Sequence, residues 1–263
     1  MSTLWQAAGA EWAKLWSVRS TWWCLAAAAG LMVLAAVTLG GATATEALRG
    51  EGPAVPVVAS EPVVSATSFA QFALVAAAML AITAEYASGS IRVTLQAVPV
   101  RGVMLAAKAL VVAPVMAAAG VLSGAVATAA VYLLLSLDAF RGLVVLPIGE
   151  VVPDLLGVGG FFAFVSVMTL GVGAAVRSAA GTLTVVFMLL LGLPLMMLMT
   201  GSQVALDASL RMPTFAGLAF MGSTDNMTGG PMPYSAGEGL AWLAAWTAAA
   251  LAAGHAVLRR RDA

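Results

Sequence analysis

The sequence predicts an all-α membrane protein with six transmembrane helices and both chain ends on the cytoplasmic side. Three observations carry this expectation. Only 9% of the 263 residues are charged and 62% are hydrophobic, whereas soluble domains carry roughly a quarter charged residues. The apolar residues fall into repeated blocks of about 20, enough for a helix to cross about 30 Å of hydrocarbon. Lysine and arginine are unevenly divided among the connections, as the positive-inside rule requires.

An N-terminal interfacial helix is expected over residues 1–20. Leu4, Trp5, Ala8, Trp12, Leu15 and Trp16 recur at helical spacing, with Gln6, Lys14 and Ser17 on other faces. Trp5, Trp12 and Trp16 are its expected anchors, because an indole is apolar while its N–H still reaches water or headgroups. Trp22 and Trp23 extend that belt. The pattern fits plain anchoring, and it fits equally a mechanical element that passes movement to the first span. The run from Thr21 to Gly41 follows a long aromatic lead and exceeds the hydrophobic region of a cleaved signal, so it reads as a retained first span.

Five more spans follow at about residues 64–84, 109–135, 155–176, 179–200 and 240–258, making residues 1–263 a single transmembrane domain. Only Arg177, Ser178 and their neighbours separate the fourth span from the fifth, which predicts a tight helical hairpin. With the N-terminus inside, Lys14, Arg19, Arg92, Arg101, Lys108, Arg177, Arg259, Arg260 and Arg261 fall on the cytoplasmic side and Arg49, Arg141 and Arg211 outside. Glu46, Glu51, Glu61, Asp138, Glu150, Asp154, Asp207, Asp225 and Glu238 fall outside. The first outer loop, with Pro53, Pro56 and Pro62, reads as extended or irregular. In the last outer loop, an apolar patch from Thr214 to Met221 lies between Pro213 and a cluster of Gly229, Gly230, Pro231 and Pro233. It is too short to span and is expected to dip into the outer leaflet.

Several function classes are excluded. Formal net charge is zero and no basic stripe interleaves with aromatics, so no nucleic-acid partner is expected. The single Cys24 and single His255 offer no disulfide or metal-ligand framework. No catalytic, cofactor-binding or metal residues are therefore assigned. No Gly-x-x-x-x-Gly-Lys-Ser/Thr loop exists for nucleotide binding. No span carries an ionisable residue near its middle, which argues against proton- or sodium-coupled carriage. Gly120 and Gly124 suit close packing within the chain, Pro114 and Pro194 suit kinks, and Gln71, Ser166, Thr169, Thr182 and Thr184 can bond their own helices. Met188, Met196, Met197 and Met199 read as packing or lipid-facing surface, or as adaptable surface for a lipophilic cargo.

The stretch from Glu85 to Arg101 is the one substantial cytoplasmic loop. Ser88 or Ser90 is placed to cap a short helix with Ile91 and Leu95 on one face and Arg92 and Gln96 exposed, before Pro99 stops it. Such a helix is a docking element; the alternative is an ordinary connector whose Arg92, Arg101 and Lys108 only satisfy the topology rule.

Two sets of residues carry a family resemblance. The first is Glu11-Trp12-Ala13-Lys14-Leu15 with Ser17-Val18-Arg19-Ser20-Thr21. The second is Glu85-Tyr86, Gly89, Ile91-Arg92, Thr94-Leu95, Pro99, Arg101 and Lys108. With these, the chain resembles the permease subunits of actinobacterial ABC transporters of the type-2 export class. The resemblance implies that the interfacial helix is a connecting helix and that Ser88 to Pro99 form a coupling helix docked on a separate cytosolic ATPase. It makes Glu85, Gly89, Ile91, Arg92, Leu95, Pro99 and Arg101 the expected partner-coupling residues. It also implies that ATP and Mg bind in the partner, so that this chain is not itself an enzyme. A second permease copy or a related permease would complete a central path, with an outer gate near the fifth and sixth spans, in a bacterial plasma membrane. The alternative is a non-transporting scaffold or immunity-type protein that binds a partner.

Overall fold

The computed structural model describes residues 2–50, 55–223 and 232–260. Glu51, Pro53, Asp225, Gly229, Gly230, Pro231 and Arg261 lie outside the described residues. The chain is a multi-pass, predominantly α-helical membrane protein: among the described residues, six helical segments are long and apolar enough to cross a bilayer.

Helix α1 (Ser2–Ser17) ends at Val18, which is extended at φ −96° and ψ 122°, and α2 (Arg19–Arg49) begins directly after it. The chain then runs through α3 (Glu61–Ser88), the short α4 (Ile91–Ala97), α5 (Arg101–Leu135) and α6 (Ile148–Val176). The spanning helices outrun the apolar blocks of the sequence, α2 and α3 at both ends and α5 and α6 at their first ends, because the flanking turns continue the helix. Gly89 closes α3 in the left-handed region at φ 72°, a conformation that favours glycine. The predicted hairpin between the fourth and fifth spans is present. Arg177 ends α6 with its N–H on the Gly173 carbonyl (2.8 Å), and the Ser178 hydroxyl caps α7 (Ala179–Phe187) by accepting the Gly181 N–H.

The fifth span does not continue as one α-helix. A π-helical segment, Met188–Gly192, joins α7 to α8 (Leu193–Leu198). Pro194 supplies the reason, since it has no N–H for the Leu190 carbonyl four residues back. That carbonyl instead accepts the Thr214 hydroxyl at 2.5 Å, and the Pro194 carbonyl accepts the Ser209 hydroxyl at 3.0 Å. Both donors come from the last outer loop, which folds into α9 (Gln203–Leu210) and α10 (Pro213–Phe220) before α11 (Ala236–Arg260). A Thr214→Val variant leaves a buried carbonyl without its donor, and its thermal unfolding in detergent is expected to show a loss of about 1 kcal/mol or more.

Helix α10 is buried from Pro213 to Ala219. Gly217 abuts Phe161, which stands 13 residues beyond Ile148, about 20 Å along α6 from its outer end. The apolar patch therefore re-enters the bundle without crossing it. Trp246 of α11 donates its indole N–H to the Arg211 carbonyl at 2.9 Å and holds the α9–α10 turn.

Helix α6 is the most deeply buried span, packed against α3, α5 and α11. Two crossings use paired glycines. A Cβ on Gly120 would sit 3.0 Å from the Gly159 Cα, and one on Gly254 would sit 2.5 Å from the Gly171 carbonyl oxygen. Gly120 thus serves packing within the chain. Outside the inner end, Val57–Val58 pair in parallel with Val144–Val145, so the extended part of the first outer loop is held by the second, and Ser60 donates to Asp154 at 2.5 Å.

The contacts gather the expected cytoplasmic residues at one end of the bundle. Lys14 meets Glu85, Arg101 donates to the Leu258 carbonyl, and Arg177 donates to the Val257 carbonyl at 3.5 Å. Alternating passes require this arrangement.

Candidate functional site

The inner end of the bundle holds a closed ring of charges built from three helices. Its seat is the contact of α1 with α5. Ala7, Ala8 and Leu15 pack on Ala107, Val111 and Val115, and all six are buried. Alanines on both surfaces let the two backbones approach, and burying Leu15 alone is worth about 2 kcal/mol. This contact puts Glu11, on the same side of α1, against Lys108 of α5.

Lys108 is 1% exposed. Its ammonium group donates to Glu11 Oε2 at 2.6 Å, to Glu85 Oε1 at 2.7 Å and to the Ala81 carbonyl at 3.1 Å. Lys14 completes the ring by donating to Glu11 Oε1 at 2.9 Å and Glu85 Oε1 at 3.0 Å. Its third bond, at 3.2 Å, reaches the Thr94 hydroxyl of α4. Each lysine thus has three bonds for its three protons. Two carboxylates and two ammonium groups leave the ring with no net charge. Glu85 Oε2 is buried without a hydrogen-bond partner, so Oε1 alone takes both lysines.

Burial opposes the Lys14 charge, but the hydrogen bonds and fields of Glu11 and Glu85 outweigh it and raise its pKa above the ordinary lysine value. A cavity of about 450 Å³ opens beside the ring. Ala77, Leu80, Val111 and Val112 give it apolar walls toward the membrane, and Ser90, Val93 and Thr94 close its α4 side.

The expected coupling residues occupy different parts of this end. Glu85 is in the ring. Gly89 makes the turn into α4. Ile91 is 3% exposed and Leu95 packs half-buried on the core, so these two hold α4 against the chain's own bundle. Arg92 and Gln96 point outward, joined by Val93, which is 67% exposed. Helix α4 ends at Ala97, and Val98 is pushed out of the helical region ahead of the exposed Pro99. Ser90 stands at the N-cap, but it is itself helical at φ −67° and ψ −13° and its hydroxyl pairs with Ser88 at 2.9 Å rather than capping the helix. Arg101 is half-buried and ties the start of α5 to the end of α11.

Among the anchors, Trp5 and Trp12 are exposed, while Trp16 is half-buried between Trp12 (ring centroids 5.6 Å) and Trp22 (4.9 Å). The apolar stripe of α1 therefore divides: Ala8 and Leu15 are buried against α5, Trp5 is exposed, and Trp12 stands half-exposed at the edge of a groove lined by α2 and α5.

Sequence reasoning counted Lys14 and Lys108 as topology charges and did not join them to Glu11 and Glu85. The available signal was the spacing of Glu11 and Lys14, three residues apart on one helix face. Among the described residues, no group of His, Cys, Asp and Glu is placed to hold a metal ion. No protein-family model matches the sequence, and no curated protein matches it.

Proposed function

We propose that the chain is the membrane-spanning permease subunit of an ATP-driven ABC exporter in a bacterial plasma membrane, driven by a separate cytosolic ATPase through α4. The observation that carries this reading is the charge ring. It fastens α1, the end of α3 and the start of α5 to one another, and Thr94 hangs α4 from the same ring. The transporter label itself comes from the family resemblance of the ring and loop residues.

In this account the partner grips the outward face of α4 at Arg92, Val93 and Gln96. Ile91 and Leu95 keep α4 from sliding over its own bundle. A push on α4 passes through Thr94 and Lys14 into the ring and moves α1, α3 and α5 together, while the extended Val18 lets α2 follow at a different angle. ATP biases such a subunit only if the ATPase has two conformations with different affinity for α4. Trp5 and Trp12 hold α1 at the inner headgroup level, where their exposed rings are favoured. A second permease copy or a related permease would complete the path for the cargo.

The test is copurification of the cytosolic ATPase with the full-length chain, followed by ATP turnover and transport in proteoliposomes. Arg92→Glu combined with Val93→Asp is expected to weaken ATPase binding about tenfold or more and to abolish coupling, with membrane insertion intact. Wild-type ATPase binding and transport in that variant would refute the assignment. Copurification of a partner without ATPase activity would favour a scaffold.

A further inference from the structure

The cavity of about 450 Å³ beside the charge ring has two unlike ends. Its volume falls within the range of small-molecule sites, ~300–1,000 Å³. Toward the membrane, Leu80, Val111 and Val112 join alanines of α3 in apolar walls that run about 10 Å along that helix from Ala84 to Ala77. The other end is bordered by the ring and by Thr21 in the first turn of α2. The sequence explains the space: Ala77, Ala81 and Ala84 fall on one face of α3 and fill little of the gap, and the extended Val18 separates α2 from α1.

Thr21 is 6% exposed. Its N–H donates to the Val18 carbonyl at 3.2 Å, but its hydroxyl has no hydrogen-bond partner among the described residues and is not sealed inside the protein. The buried Thr67, Thr83, Thr128 and Thr169 each return the hydroxyl to a carbonyl of the preceding turn. Thr21 stands too near the start of α2 for a full turn of helix to precede it, so its hydroxyl is left for something in the cavity. The ring limits the charge of that ligand. All three protons of each lysine are already bonded, so no ammonium donor remains for an anion. A cation would approach two ammonium groups whose carboxylates are already engaged.

We propose that this cavity binds an uncharged amphiphile, with a hydroxyl-bearing head at Thr21 and a single alkyl chain of medium length along Ala77, Leu80 and Val112. The free threonine hydroxyl selects the head, because a ligand hydroxyl can both donate to it and accept from it. The apolar walls select the chain, and the internally satisfied ring disfavours charged heads of either sign. This inference does not depend on what the protein transports.

The test is photo-crosslinking of the full-length chain in phosphatidylglycerol nanodiscs, using 1-decanoylglycerol with a diazirine at the end of its chain and mapping the labelled residues. The expected result is saturable labelling of α3 between Ala77 and Ala84 or of α5 at Val111 or Val112. Unlabelled 1-decanoylglycerol should compete, and decyl sulfate, decyltrimethylammonium and glycerol should compete poorly. Thr21→Val, which keeps the shape and removes the hydroxyl, should weaken binding about fivefold. Ala84→Trp, which fills the cavity from an exposed position, should weaken it about tenfold or more. Ala87→Trp, the same change on α3 outside the cavity, should leave it unchanged. Labelling that does not saturate, or that falls equally in Ala87→Trp, would show partition into the bilayer or general damage to α3 and overturn the site. Wild-type binding in Ala84→Trp, or competition by glycerol as effective as by the amphiphile, would overturn the chain half. Wild-type binding in Thr21→Val, or equal competition by either charged amphiphile, would overturn the head half.

Discussion

A Lys108→Met variant is expected to unfold with a loss of about 3–5 kcal/mol, the penalty typical of removing one partner from a buried charge group. Lys108 is the one ring member wholly withdrawn from solvent. Without it, Glu11 and Glu85 face each other with only Lys14 between them, and the Ala81 carbonyl loses the side-chain donor it has beyond its own helix. Thermal unfolding in detergent checks this. Adding Glu11→Gln and Glu85→Gln to Lys108→Met should recover most of the loss, because it removes the buried charges of the ring and leaves only Lys14, whose 46% exposed side chain can keep its ammonium group in water. The recovered triple variant should still fail to couple ATP turnover to transport if the ring transmits force. Lys14 differs, since its side chain is 46% exposed. Solvent screening reduces its share to under about 1 kcal/mol. Its folded-state pKa lies above the unfolded one, so that share is full at physiological pH and is lost only as pH climbs through the raised folded value.

The second large effect is expected at the crossing of α6 and α11. A Cβ on Gly171 would sit 2.6 Å from both the Ala250 carbonyl oxygen and the Leu251 nitrogen. These are backbone atoms, with no rotamer to swing aside, so Gly171→Ala must push the two helices apart. The expected loss is about 3 kcal/mol or more, and Gly254→Ala should act alike because its Cβ would meet the Gly171 carbonyl. Gly30→Ala in α2 is the control. Nothing lies within 4 Å of its Cβ, so helix propensity alone applies and the change should be neutral or stabilising by up to about 1 kcal/mol. Comparing the three unfolding temperatures separates close packing from a general intolerance of added methyl groups.

The parts of the fold that depend on local physics were legible in the sequence. Apolar block length gave the six spans, the Arg177–Ser178 break gave the hairpin, and Pro99 gave the end of α4. The parts that depend on distant residues were not. Glu11 and Lys108 are 97 positions apart, and no pattern within either segment announces the other. The same holds for the π segment: Pro194 forecast an irregularity, but its form depends on Thr214 arriving to take the Leu190 carbonyl. Helix periodicity placed Ile91 and Leu95 together on α4 without indicating whether that face meets the chain or a partner. The fold turns Ile91 inward, which moves the proposed docking face to Arg92, Val93 and Gln96.

Force transfer from a cytosolic ATPase requires α4 to lie where that partner can reach it. A Ser90→Cys variant carrying Cys24→Ser places one thiol at the start of α4, and a membrane-impermeant maleimide reports its side. Labelling in inverted membrane vesicles but not in intact cells is the predicted result. Labelling in intact cells would put α4 outside and contradict the proposed function, whatever becomes of the charge ring.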